Sequence, residues 1–217
     1  DYVDNDGLTD DPIYIRAKIT ITDSLFQVDY SGSSSQSRGP FNCSLVATEC
    51  GARIAFKAVT DPHGPTNSGF FRPLKVIAPE GTIFNARKPA PFSNYYELVS
   101  YASDLICKAL ALHVPDILPS GGSMSPCPTL FAGKDNETAQ TFVIHEDHYG
   151  GWGARRGRDG ENILCPYIDG NTRLFSVEIL EAKYPLLIEQ YALNTLDSAG
   201  AGKFRGGFGC IKDYRII

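Results

Sequence analysis

No apolar run in this sequence approaches the length of a membrane span, and no signal-peptide pattern opens it, so no membrane association is expected. It also lacks an excess of positive charge: 20 Lys and Arg stand against 25 Asp and Glu, a formal net charge of −5. A nucleic-acid partner, which requires a basic face, is therefore not expected. Among Cys43, Cys50, Cys107, Cys127, Cys165 and Cys210 there is no CxxC pair and no Cys/His group of zinc spacing. Several of these cysteines lie in apolar runs, where a thiol acts as a small hydrophobe. This favours a reduced, cytoplasmic protein over a disulfide scaffold, although the even count leaves the scaffold open. No internal repeat, Walker motif, full GxGxxG, HExxH or GxSxG is present, which removes the usual signatures of solenoids, nucleotide sites, zinc proteases and serine hydrolases.

What is there suits a globular protein. The 217 residues are 42% hydrophobic and 21% charged, enough for one large domain or two small ones. Both ends read as cut. Asp1 opens an acidic stretch without an initiator Met, and Ile216-Ile217 stop inside an alternating apolar run. Residues 1–217 are therefore expected to be a single segment of a longer polypeptide, or a processed product.

Residues 1–11 read as a linker or frayed end. Ile13, Ile15, Ala17, Ile19 and Ile21 alternate with polar neighbours and predict a strand, and residues 25–30 return from a turn as its hairpin partner. A helix is predicted over 41–60, stopped by Asp61-Pro62, and a strand over 70–79. A second helix is predicted over 95–113, with Leu98, Ala102, Leu105, Ile106, Ala109 and Leu112 in its buried stripe. Residues 129–132 and 141–144 form a further hairpin, and 186–193 and 210–217 two more strands. The whole predicts an α+β fold with a largely antiparallel sheet and two main helices.

Residues 149–160, Tyr-Gly-Gly-Trp-Gly-Ala-Arg-Arg-Gly-Arg-Asp-Gly, have neither helical nor strand periodicity. They contain the only Trp of the chain, flanked by glycines. A buried indole needs a partner for its N–H, so an ordered loop is expected. Arg155 or Arg158 is expected to pair with a carboxylate from another segment, with Asp29, Glu80, Asp159 and Glu178 as candidates. Such fixed donors suit the recognition of an amide, imide or carboxylate; the alternative is a surface turn with structural salt bridges.

Three other stretches carry chemistry. Arg72 and Asn85 lie near the ends of a polar-bounded apolar strand, where they can line a pocket or simply satisfy turns. His145-Glu146-Asp147-His148 is rich in metal ligands, but on a strand the two histidines face opposite ways. Residues 200–207 resemble a phosphate-binding glycine loop without the helix that should follow, so a hairpin connection is the better expectation.

Val28-Asp29-Tyr30-Ser31-Gly32-Ser33-Ser34, Gly39-Pro40-Phe41-Asn42 and residues 67–72, 76–91, 150–160, 178–185 and 198–207 follow one another in an order that resembles the hydantoinase B/oxoprolinase family along nearly the whole chain. The resemblance implies a subunit that works with a hydantoinase A-like, ATP-binding partner and the rest of its own polypeptide on a small-molecule substrate. Such complexes open hydantoin, oxoproline or lactam rings at the cost of ATP, and relatives carboxylate ketones such as acetone and acetophenone. It also implies that ATP and a divalent metal are bound outside these residues. Arg72, Asn85, Arg155, Arg158 and Asp159 are then candidate substrate-binding residues, with no catalytic or metal ligand assigned within the chain. One departure stands out: where the family carries His residues before an Asn-rich stretch, this sequence reads Leu164-Cys165-Pro166-Tyr167-Ile168-Asp169-Gly170-Asn171. The segment alone is expected to be inactive, and a noncatalytic scaffold role is the competing expectation.

Overall fold

The acidic opening stretch, expected to be loose, is bound into the fold. Tyr2–Val3 (β1) pairs antiparallel with Ile13–Tyr14 (β2). Asp6 is buried, and its carboxylate accepts hydrogen bonds from the N–H groups of Leu8, Thr9 and Gly39 and from the Ser37 hydroxyl, at 2.8–3.0 Å. These donors, Leu8 N–H foremost, hold the Asp6 carboxyl far below its usual range against the opposing effect of burial. Composition concealed this because a turn-capping Asp looks, in sequence, like any solvated charge.

The computed structural model describes residues 1–136, 138–170 and 172–217, which divide into two units, residues 1–118 and 119–217. In the first, the strand predicted over 13–21 is interrupted. Ile15 N–H donates to Asp1 O and Arg16 N–H to Ser33 Oγ, so the chain leaves β2 before Lys18–Ile21 (β3) begins. β3 turns at residues 22–25 and pairs antiparallel with Phe26–Asp29 (β4). Leu74–Ile77 (β5) adds to β4 in parallel, giving the order β3-β4-β5. Parallel neighbours need a crossover, and Leu45–Thr60 (α1) lies within it.

α1 starts at its cap Ser44, whose Oγ accepts from Ala47 N–H, rather than at Phe41. Asn42 cannot join the helix because it is buried, with its amide committed to the carbonyls of Ser37, Gly39 and Pro91. The second helix, Tyr95–Ala111 (α2), buries Leu98, Ala102 and Ile106 of the predicted stripe, whereas Ala109 and Leu112, at and beyond its last turn, are exposed. Tyr30 lies in this core with its ring 4.7 Å from that of Phe84 and its hydroxyl donating to Ala102 O at 2.7 Å.

In the second unit, Thr129–Lys134 (β6) and Thr141–Glu146 (β7) form the expected hairpin, each longer than predicted. Val177–Lys183 (α3), capped by Ser176, was not legible: two turns are too few to show a stripe. Leu186–Asn194 (β8) and Gly209–Ile216 (β9) pair antiparallel, with an irregularity between Ile188 and Gln190. Ile144, Leu180 and Leu186 form the core, flanked by Phe131, Phe142, Tyr184 and Tyr214. Beside it Glu146 is buried, paired with the buried Lys212 ammonium and accepting from the Tyr214 hydroxyl. The α+β class holds, with β4–β5 the one parallel pair among the described strands. No described helix is long and apolar enough to cross a membrane.

Candidate functional site: a glycine-walled cleft

The glycines of residues 150–161 are there because three stretches of main chain touch one another directly. Trp152 N–H donates to Glu161 O and Trp152 O accepts from Gly207 N–H, at 2.9 and 2.8 Å. On the other side Gly153 N–H donates to Gly121 O at 2.6 Å and Ser123 N–H to Gly151 O at 2.9 Å. A side chain has no room between these peptides. A Cβ on Gly151 would fall 2.0 Å from Gly207 O, one on Gly160 2.0 Å from Trp152 O, and one on Gly207 1.8 Å from Glu161 O.

Residues 120–122, residues 151–154 and six residues between Ser198 and Gly207 line a cleft of about 330 Å3. Its walls are peptide, with Trp152 and Phe204 as the aromatic side chains and Ser120 and Ser198 as the hydroxyls. The Trp152 indole N–H donates to the carbonyls of Leu164 and Cys165, both at 3.2 Å, and its ring meets the Tyr167 edge. The loop is thus ordered, for the reason its Trp implied.

The arginines stand on a hairpin that leaves the cleft. Arg155 and Arg158 exchange both main-chain hydrogen bonds at 3.1 Å around Arg156-Gly157. Gly157, at φ +82°, takes the left-handed conformation that the third position of a type II turn requires. Arg158 pairs with Glu161, three residues on, and not with a distant carboxylate. The expected partners Asp29, Glu80, Asp159 and Glu178 are replaced because a neighbour along the chain was already within reach. Arg155 is exposed, and its side chain has no hydrogen-bond or ion-pair partner among the described residues.

Asp159 instead serves Arg205, a residue the sequence did not single out. Its Oδ1 accepts from Arg205 N–H at 3.0 Å, and its Oδ2 lies 3.7 Å from Arg205 Nε. Arg205 Nη1 also donates to Asn162 Oδ1 and Gly206 O, and the guanidinium lies 4.1 Å from the Phe208 ring centroid. Arg205 therefore staples residues 159–162 to residues 205–208, behind two walls of the cleft. The available signal was complementary: an Asp in one glycine-rich stretch and an Arg in the other.

The profile of the hydantoinase B/oxoprolinase family matches residues 1–217. The chain belongs to that family. It is 33% identical over 225 residues to a Pseudomonas protein described as the B component of a D-/L-hydantoinase, covering 100% of this chain and 37% of that one. The structure of an ATP-dependent caprolactamase from Pseudomonas jessenii matches with a TM-score of 0.82 at 26% identity, over 94% of this chain and 36% of that one. A nucleotide-free acetone carboxylase structure matches with a TM-score of 0.84 over 94% of this chain and 28% of that one; at 20% identity this establishes the shared fold. The chain thus spans about a third of the length of these relatives.

Within this hydantoinase B-family chain, Arg155, Arg158 and Asp159 share one hairpin, while Arg72 and Asn85 belong to the other unit. Arg72 is exposed just ahead of β5. Asn85 Nδ2 donates to Ala78 O at 2.8 Å, so part of its amide closes the turn after β5. His145 pairs with Asp147 at 3.3 Å, and His148 packs edge-on against Tyr214, burial holding its pKa down. Among the described residues no group of three His, Cys, Asp or Glu is arranged to hold a metal. Asn171, at the end of the departing stretch, lies outside the described residues.

Proposed function

We propose that the chain forms part of the B-type component of an ATP-dependent enzyme that opens small cyclic amides or imides by hydrolysis. The observation that carries this is the 33% identity along the whole chain to a protein described as a hydantoinase B component. The fold and 26% identity shared with an ATP-dependent caprolactamase support it. In this reading a hydantoinase A-like subunit handles ATP, both ATP and a divalent metal bind outside these residues, and the complex works in the cytoplasm. The 217-residue segment alone turns over neither ATP nor a ring.

Arg155 is the donor proposed for a substrate carbonyl oxygen, because its guanidinium is uncommitted among the described residues. Arg158 and Asp159, tied to Glu161 and Arg205, hold the hairpin that carries it. For Arg72 and Asn85, in the first unit, a substrate contact is proposed on their own side chains alone.

The test is ATP consumption by the full-length subunit assembled with its ATP-using partner. Consumption that depends on a lactam or hydantoin and needs only water supports hydrolysis. A requirement for bicarbonate assigns ketone carboxylation instead. Unchanged turnover in an intact Arg155→Ala, Arg158→Ala complex would leave the segment a noncatalytic scaffold.

A further inference from the structure

The sheet of the first unit stops at β3 with its outer edge open. Phe26 N–H donates to Pro73 O and Tyr30 N–H to Ile77 O, so Phe26 and, by alternation, Val28 turn their main-chain groups toward β5. The residues opposite them in β3, Ile21 and Ile19, therefore form the non-hydrogen-bonded pairs of the β3–β4 ladder. Thr22 N–H, donating to Leu25 O at 2.8 Å, fixes the same alternation. The N–H and C=O of Ile19 and Ile21 consequently point away from β4. They meet no main-chain partner among the described residues.

The side chains of the same two residues face the helices. Cross-strand neighbours share a face, and Phe26, opposite Ile21, holds its ring 5.2 Å from that of Phe56 in α1. Yet Ile21 is 56% exposed. Ile19 and Ile21 line an apolar cleft of about 500 Å3 together with Val59 of α1 and with Ala109, Leu110 and Val114 at and after the end of α2. The helices thus leave apolar surface uncovered beside the last strand. An edge built to stay in water carries a charge or a proline, and Ile19-Thr20-Ile21 has neither.

An open edge and an apolar cleft on the same two residues fit one kind of occupant, an extended segment. A strand paired with Ile19 and Ile21 lies ~4.8 Å outside β3, and every second side chain of it enters the cleft. Such a contact is small. A strand of about four residues covers far less than the ~800 Å2 per partner of a stable interface between separate proteins. Tethering to the same polypeptide removes that shortfall, because the effective concentration is then ~1 mM or more. This chain covers 37% of the hydantoinase B relative and 36% of the caprolactamase chain, which leaves most of such a polypeptide to supply the strand.

We propose that β3 is an internal strand of the complete subunit: a strand from the same polypeptide, outside residues 1–217, pairs with Ile19 and Ile21 and seats apolar side chains in the cleft between β3 and the ends of α1 and α2. The assignment is independent of the reaction the complex performs.

Hydrogen exchange read by mass spectrometry tests it on the full-length subunit, alone and monomeric by light scattering. The peptide containing Ile19 and Ile21 should exchange at least ~100-fold more slowly than an open edge does. Ile19→Pro removes an outward N–H, and Ile21→Lys puts an ammonium at the cleft; an open edge accepts both changes. Each should release protection in β3 and, with it, in one peptide outside residues 1–217, which identifies the added strand. Free exchange of the two amides in the unaltered monomer overturns the proposal. Protection that appears only with the ATP-using partner, or only in a dimer, also overturns it and assigns the edge to the partner subunit or to a second copy. So does protection of β3 with no linked peptide outside residues 1–217 in either folded variant.

Discussion

The two units differ in what holds each of them together. In the first, side chains fill the space between elements: Tyr30, Phe84, Leu98 and Ile106 are all buried, the last two from the apolar strip of α2. In the second, the apolar core around Ile144, Leu180 and Leu186 is small, and the region around Trp152 is built from peptide against peptide. A side-chain core tolerates the loss of a group at a graded cost, because neighbours relax partway. Main chain packed on main chain has no such freedom, since a carbonyl oxygen cannot retreat without breaking its own hydrogen bonds.

That contrast is most sharply tested at two glycines of one loop. Gly207→Ala drives a methyl group into Glu161 O and should cost more than ~4 kcal/mol, in the exceptional range for single substitutions. Gly200→Ala faces open space and should stay within ~0.5 kcal/mol. Urea midpoints of the full-length protein decide; similar values for the two would end the idea of a main-chain interlock.

Next in size is the buried charge. Lys212→Met leaves Glu146 without its ammonium partner, at a cost of ~3–5 kcal/mol, the usual penalty for an uncompensated buried charge. Adding Glu146→Gln should recover much of it. A single variant as stable as the parent would mean that the pair is solvated. In the first unit the graded response should appear at Tyr30→Phe. It removes one buried hydrogen bond to Ala102 O and should lower stability by about 1 kcal/mol in thermal unfolding.

The smallest effect depends on pH. The Asp6 carboxyl titrates below its ordinary value of 3.8 when folded, because four groups donate to its charged form. Its contribution is therefore fully present above that value and is lost as pH falls through the depressed folded pKa. Asp6→Asn should flatten the acid limb of a stability-against-pH curve and leave its neutral part parallel to the parent's. An unaltered acid limb would show that the opening turn is not held by this carboxylate.

Legibility divided along the same line. Both long helices and the two hairpins announced themselves through periodicity, which records which face a side chain buries. α1 began four residues later than expected because Asn42 is drawn into a web of carbonyls that no periodic pattern encodes. At the candidate site, the Trp152 loop was recognisable as ordered from a single indole among glycines. Its partners were not: Arg158 pairs with Glu161, three residues on, where a carboxylate from another segment was expected, and Asp159 pairs with Arg205, 46 residues away in the chain.

Taken alone, the sequence determined the α+β class, the long elements and membership of the hydantoinase B family, because these rest on local pattern and on motifs in a fixed order. Only the tertiary structure decided that β5 joins β4 in parallel, that residues 1–11 are anchored, and that two glycine-rich stretches far apart in the chain face one cleft. Glycine leaves no side-chain signature of what it touches. Its meaning appears only when another peptide is found occupying the space its side chain would have filled.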